Sequence, residues 1–140
     1  MRLWGWLVLL GVGCLLGLGC GGGSQAAPVG TRCSDLFTFS GRVDDRGSAP
    51  LQGGTAAVEA GDIFFSPTCL TGAAGAVKLT VKNAGRLLHN FSVPEQGIDI
   101  DLPPGQTVGV EVRVGDKPLG CFCKYHRDAG QQCVLIPGRH

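Results

Sequence analysis

The sequence predicts an all-β protein, a sandwich or barrel of short antiparallel strands. Three observations carry this. Apolar and polar residues alternate with period two in several short runs, the mark of a half-buried strand. Turn signals rich in Gly, Pro, Asn and Asp separate those runs at close spacing. No segment holds a helical period over eleven residues. Apolar residues make up 44% of the 140-residue chain and charged ones 16%, enough apolar material for a packed core.

The strands are read in chain order. Residues 35–43, around Leu36, Phe37 and Phe39, alternate briefly and form either a strand or a packed extension, and 44–56 read as loop. Ala57 to Ala60 and Ile63 to Phe65 are short strands ahead of a break at Pro67. Val77 to Lys82 alternates cleanly, and Asn83-Ala84-Gly85 turns the chain. Leu88 to Val93 is the next strand and carries His89. Ile98 to Leu102 is a brief extended piece, closed by Pro103-Pro104-Gly105. In Thr107 to Val114, Val108, Val110, Val112 and Val114 share one face. Leu119 to Cys123 and Cys133 to Ile136 are the final two strands.

Residues 1–19 read as an export leader: Arg2 precedes an uncharged run from Leu3 to Gly19. The run is short for a membrane span and rich in glycine. Leu15-Leu16-Gly17-Leu18-Gly19-Cys20 resembles a bacterial lipobox, which predicts lipidation of Cys20, although Gly17 stands where that pattern prefers Leu. The alternatives are an uncleaved anchor or ordinary signal cleavage. Gly21-Gly22-Gly23-Ser24-Gln25 follows as a flexible tether. The expected organisation is therefore a leader over 1–19, a lipid-anchored linker and extension over 20–56, and the folded domain over 57–140. Removing the leader takes Arg2 from the 12 basic residues, leaving 11 against 11 acidic ones. That neutrality argues against nucleic acid and against a strongly charged docking face.

The chemistry concentrates in two places. Cys123-Lys124-Tyr125-His126 runs on to Gln131 and Gln132, and His89-Asn90-Phe91 lies upstream. A thiolate, two imidazoles and a weak fourth donor are the set that a blue-copper site uses. Taken singly, each residue has a plainer role: His89 as a core histidine, His126 and Gln131 as loop residues, Cys123 as half of a disulfide. Their joint spacing is what points to a metal. His140 fits no part of the pattern.

The stretch from Ala57 to Gly138 resembles the cupredoxins, small Greek-key β-sandwiches that hold one copper ion. The resemblance rests on His89-Asn90-Phe91 and on Cys123-x2-His126-x4-Gln131, with support from Asp62-Ile63-Phe64-Phe65-Ser66-Pro67. It implies His89, Cys123 and His126 as copper ligands. Gln131 stands in the axial place, where most members carry Met and the stellacyanin-like ones Gln. Gln132 takes that role if the loop register differs by one. Asn90 is implied as the residue that ties the His strand to the loop after the Cys. The family's usual Gly two places past the axial residue is Cys133 here.

The resemblance implies electron transfer outside the cytoplasm, with no enzyme activity. A monomer would serve membrane or periplasmic redox proteins and sit at the lipid bilayer through its anchor. A periplasmic copper carrier that delivers metal to an oxidase is the alternative. Seven cysteines then divide: Cys14 leaves with the leader, Cys20 takes lipid and Cys123 takes copper. Cys33, Cys69, Cys121 and Cys133 remain, and four cysteines pair in three ways. The expected pairs are Cys121–Cys133, which would staple the metal loop, and Cys33–Cys69.

Overall fold

The computed structural model describes residues 30–138. The leader, Cys14, the lipidation residue Cys20, the tether and His140 lie outside them. Ten strands form two sheets: β1 (Ser48–Pro50), β2 (Thr55–Gly61), β3 (Phe64–Ser66), β4 (Cys69–Ala73), β5 (Gly75–Asn83), β6 (His89–Val93), β7 (Ile98–Leu102), β8 (Thr107–Val114), β9 (Leu119–Phe122) and β10 (Gln132–Pro137). One sheet has six strands in the order β1-β4-β10-β9-β6-β7, the other four in the order β3-β2-β5-β8. Single 3-10 turns at Cys33–Asp35 and Pro94–Gln96 are the helical pieces among the described residues. No helix among them is long and apolar enough to cross a membrane.

The alternating segments lie where the sequence puts them. In β5, Val77, Leu79 and Val81 face inward while Lys78, Thr80 and Lys82 face water. In β8, Val110, Val112 and Val114 are buried opposite them, and Val108 is half-buried. The two strands pair antiparallel over their whole length, with Val77 against Val112 and Leu79 against Val110. Phe65 on β3 and Phe91 on β6 meet edge to face between the two sheets, their ring centroids 5.9 Å apart. Both are fully buried, and burial of each such ring stabilises the fold by about 2–3 kcal/mol.

Three features differ from the sequence reading. The sheets are mixed, because β1–β4, β10–β4 and β2–β5 run parallel. β4 was not foreseen: Cys69-Leu70-Thr71-Gly72-Ala73 lies between β1 and β10, so alternation gives way to burial at four of its five positions. The supposed loop over 44–56 contains β1. Ahead of it, Leu36 to Phe39 form no strand, yet Phe37 and Phe39 pack around the Cys33–Cys69 bridge with Val134 and Ile136.

That N-terminal segment is tied down by a carboxylate. Asp45 accepts the backbone N–H groups of Cys33 (3.0 Å), Ser34 (2.9 Å) and Gly47 (2.8 Å). Partial burial pushes its carboxyl up, but these donors outweigh it and hold the group below its ordinary range. Farther on, the Asp44 N–H donates to the Gly130 carbonyl at 3.0 Å, and Gln132 Nε2 donates to the Arg42 carbonyl at 2.6 Å. The segment therefore lies directly against the end of the loop between β9 and β10.

Candidate metal centre

Four side chains named from the sequence converge at one end of the sandwich. His89 opens β6 and is fully buried. Cys123 follows β9 and is also fully buried. The chain from Cys123 to Gln131 is a tight loop with internal bonds. The Cys123 N–H donates to the Gln131 carbonyl (3.0 Å), and the N–H groups of His126 and Gln131 return to the carbonyls of Cys123 and His126 (3.1 Å each). This folding brings His126 Nδ1 to 3.5 Å from Cys123 Sγ and 3.2 Å from Gln131 Oε1. The His89 and His126 rings stand 5.1 Å apart between centroids. Donor atoms of His89, Cys123 and His126 lie within 4.8 Å of one another, the one such His, Cys or carboxylate group among the described residues.

The residues fit a soft, nitrogen- and sulfur-preferring ion. His89 Nδ1 is buried and has no hydrogen-bond partner among the described residues. A buried polar atom without a partner costs about 1–3 kcal/mol, and a ligated ion removes that cost. Its other nitrogen, Nε2, stands 3.4 Å from Asp62 Oδ1. A ligating imidazole commonly has a carboxylate behind its far nitrogen in this way, which fixes the ring and its tautomer. Burial pushes the His89 imidazole below its usual range, with Asp62 opposing. The neutral ring that results is the form that binds metal. Asp62 is itself held low, chiefly by the backbone N–H groups of Arg86 and Leu87.

Gln131 is fully buried. Its Nε2 donates to the carbonyls of Gly61 and Phe64, 3.1 Å each, which turns Oε1 toward His126. Gln132 points away, toward Arg42, so the loop register presents Gln131 to the cluster. Asn90 sits beside the loop: its Oδ1 accepts the Lys124 N–H at 3.4 Å, and its Nδ2 donates to Asp99 (2.7 Å) and Asp101 (3.0 Å).

Several contributors were not anticipated. Asp62 figured in the sequence only as part of a strand motif. Asn83, read as a turn signal, is a buried brace: its Nδ2 donates to the carbonyls of Leu87 and Leu102, and its Oδ1 accepts the Gly85 N–H. It thereby shapes the connection that delivers His89. Asp99 and Asp101 on β7 bond Lys124 Nζ at 2.8 and 2.9 Å, and Asp101 accepts from the Tyr125 hydroxyl at 2.9 Å. These carboxylates raise the Lys124 ammonium well above its ordinary value. Ile98–Leu102 was read only as a brief extended piece, and nothing in the sequence linked its carboxylates to residues 124 and 125.

The structure pairs Cys33 with Cys69 and Cys121 with Cys133, at Cα separations of 5.2 and 4.9 Å. Cys121 and Cys133 lie directly opposite each other on β9 and β10. Cys123 is the free cysteine among the described residues.

The chain has a two-sheet β-sandwich fold of the cupredoxin type, with a His, Cys, His cluster at one end. Among solved structures it is similar to the metal-binding domain of the Cu(I)-exporting P-type ATPase CopA of Streptococcus pneumoniae D39, at 13% identity and TM-score 0.54, covering 66% of this chain and 94% of that one. It is likewise similar to auracyanin of the photosynthetic bacterium Roseiflexus castenholzii, at 15% identity and TM-score 0.51, covering 62% and 98%. No family model matches the sequence, and no curated protein matches it at a significant level.

Proposed function

We propose that the domain holds one copper ion through His89, Cys123 and His126, with Gln131 Oε1 as a weak fourth donor, and acts in electron transfer outside the cytoplasm. The observation that carries this is a buried, unpaired thiol beside one imidazole, with the partnerless Nδ1 of a second in the same cluster. Bound copper supplies a one-electron couple between its +1 and +2 states. The chain's own part is to keep the donors still. His89 belongs to a strand, Cys123 and Gln131 adjoin strand ends, and loop 123–131 is closed by its own backbone bonds. Donors held this way move little when the charge at the site changes. His126 is the half-buried member and lies next to exposed Tyr125, so its edge is the proposed electron exit. Four donors leave no open position, so no substrate chemistry is proposed.

The export leader and a lipid on Cys20 belong to the same proposal. A tether at the bilayer would raise the local concentration near membrane or periplasmic redox proteins. A second reading is copper delivery to another protein, as a carrier or chaperone. The Streptococcus pneumoniae domain of this fold was solved with Cu(I) and belongs to a copper exporter.

The test is addition of cupric salt to the exported domain with its visible spectrum recorded. An intense thiolate-to-copper band that disappears in Cys123→Ser is expected. A colourless complex, or a band that survives the substitution, overturns the assignment. Colour that persists through repeated redox cycling supports electron transfer; loss of the ion to a chelator on reduction supports delivery.

A further inference from the structure

The turn joining β2 to β3 reaches two of the proposed donors at once. It has two residues between paired positions, Asp62 and Ile63 between Gly61 and Phe64. Asp62 Oδ1 stands behind His89 Nε2. The carbonyls of Gly61 and Phe64, at the two ends of the turn, accept the two protons of the Gln131 amide. The turn is strained. Ile63 has φ of 75°, in the left-handed region that a β-branched residue rarely enters. A positive φ at this place is the mark of a type II turn, which normally puts Gly there, whereas tight hairpins favour the primed types. Gly61 leaves room for the Phe64 ring, which a Cβ on it would displace. Strain of this kind persists where the surroundings over-determine the backbone, and it gathers at functional sites.

We propose that this turn is the positioning element of the metal centre, and that it, rather than the metal, dictates glutamine at position 131. The proposal rests on the copper reading for its purpose, but its geometry is a property of the metal-free chain. Two carbonyls aimed at one point need a group with two protons there. A Met thioether offers none and strands both acceptors, one of them buried. A Glu carboxylate sets acceptors against acceptors. Glutamine alone among the three satisfies the turn while leaving an oxygen, and only an oxygen, facing His126.

The test uses the metal-free, disulfide-intact protein. The two side-chain amide protons of Gln131 should show NMR couplings across their hydrogen bonds to the Gly61 and Phe64 carbonyl carbons. The exchange of each with solvent should be slowed about tenfold relative to free glutamine, one hydrogen bond holding each proton. Without metal, Gln131→Met and Gln131→Glu should both unfold at lower urea concentration, Glu at the lowest. Amide protons that lack those couplings and exchange as freely as in free glutamine overturn the proposal, as do variants as stable as the parent without metal. The copper reading fails separately: an ordered, protected amide together with no thiolate-to-copper band on adding cupric salt sinks that reading and leaves the turn's role standing. An intact band with an unprotected amide does the reverse.

Discussion

Asp45 offers a quantitative check on how residues 33–47 are held. Its Oδ1 takes the N–H groups of Cys33 and Gly47, and its Oδ2 takes that of Ser34. Bonds to a charged group are worth about 1.5–3 kcal/mol when fully buried. Here the carboxylate is half-buried, so solvent reduces each to about 1 kcal/mol. Asp45→Ala removes all three and should cost about 2–3 kcal/mol, or roughly 10 °C or more in Tm for a domain of this size. Asp45→Asn keeps the oxygen that serves Cys33 and Gly47 but turns an NH2 toward the Ser34 N–H. It should cost about 1 kcal/mol. The pH dependence follows from the direction of the shift. The carboxyl titrates lower in the folded protein than its usual 3.8, so the stabilisation is complete above that value and is lost as pH falls through the folded one. The assay is urea unfolding of parent and both variants, disulfides intact, from pH 7 down to pH 2. The gap between parent and Asp45→Asn should close toward the acid end. A gap that stays constant, or widens in acid, would refute the reasoning.

Gly85→Ala should disturb the metal centre without replacing a proposed ligand. A Cβ there would overlap Asp62 Oδ1 and come within 3.0 Å of His89 Nε2, so the carboxylate must leave the imidazole. Loss of such a partner typically weakens metal affinity 10–100-fold, and competitive copper titration should read a drop of about that size. Gln131→Met should raise the reduction potential, because it exchanges a hard oxygen for a softer sulfur that favours copper(I). An unchanged or lower midpoint in a redox titration would remove Gln131 from the ligand set.

Strand positions were legible where one face meets water. β5 and β8 alternate as read, and β7 falls on the expected residues, because a half-buried strand writes its orientation into the chain. β4, with four of its five residues buried, has no alternation to read; β6 and β10, as deeply buried, were placed as the strands that carry His89 and follow the Cys123 loop. β1 is three residues ending in Pro50, short enough to pass for a loop. The convergence of His89, Cys123 and His126 was readable from spacing, since strand ends fix where a short loop must return. Asp62 and the carbonyls of Gly61 and Phe64 were not. They reach the cluster across 27 to 70 positions of chain, and a backbone carbonyl carries no residue identity to notice.

The pairing of four cysteines leaves a single sulfhydryl within residues 30–138, and it is sealed from solvent. An alkylating reagent that reads one group per folded domain is thus a ready-made opening gauge. The rate at which metal-free protein acquires that label reports how often this pole of the sandwich breathes, with no probe engineered in.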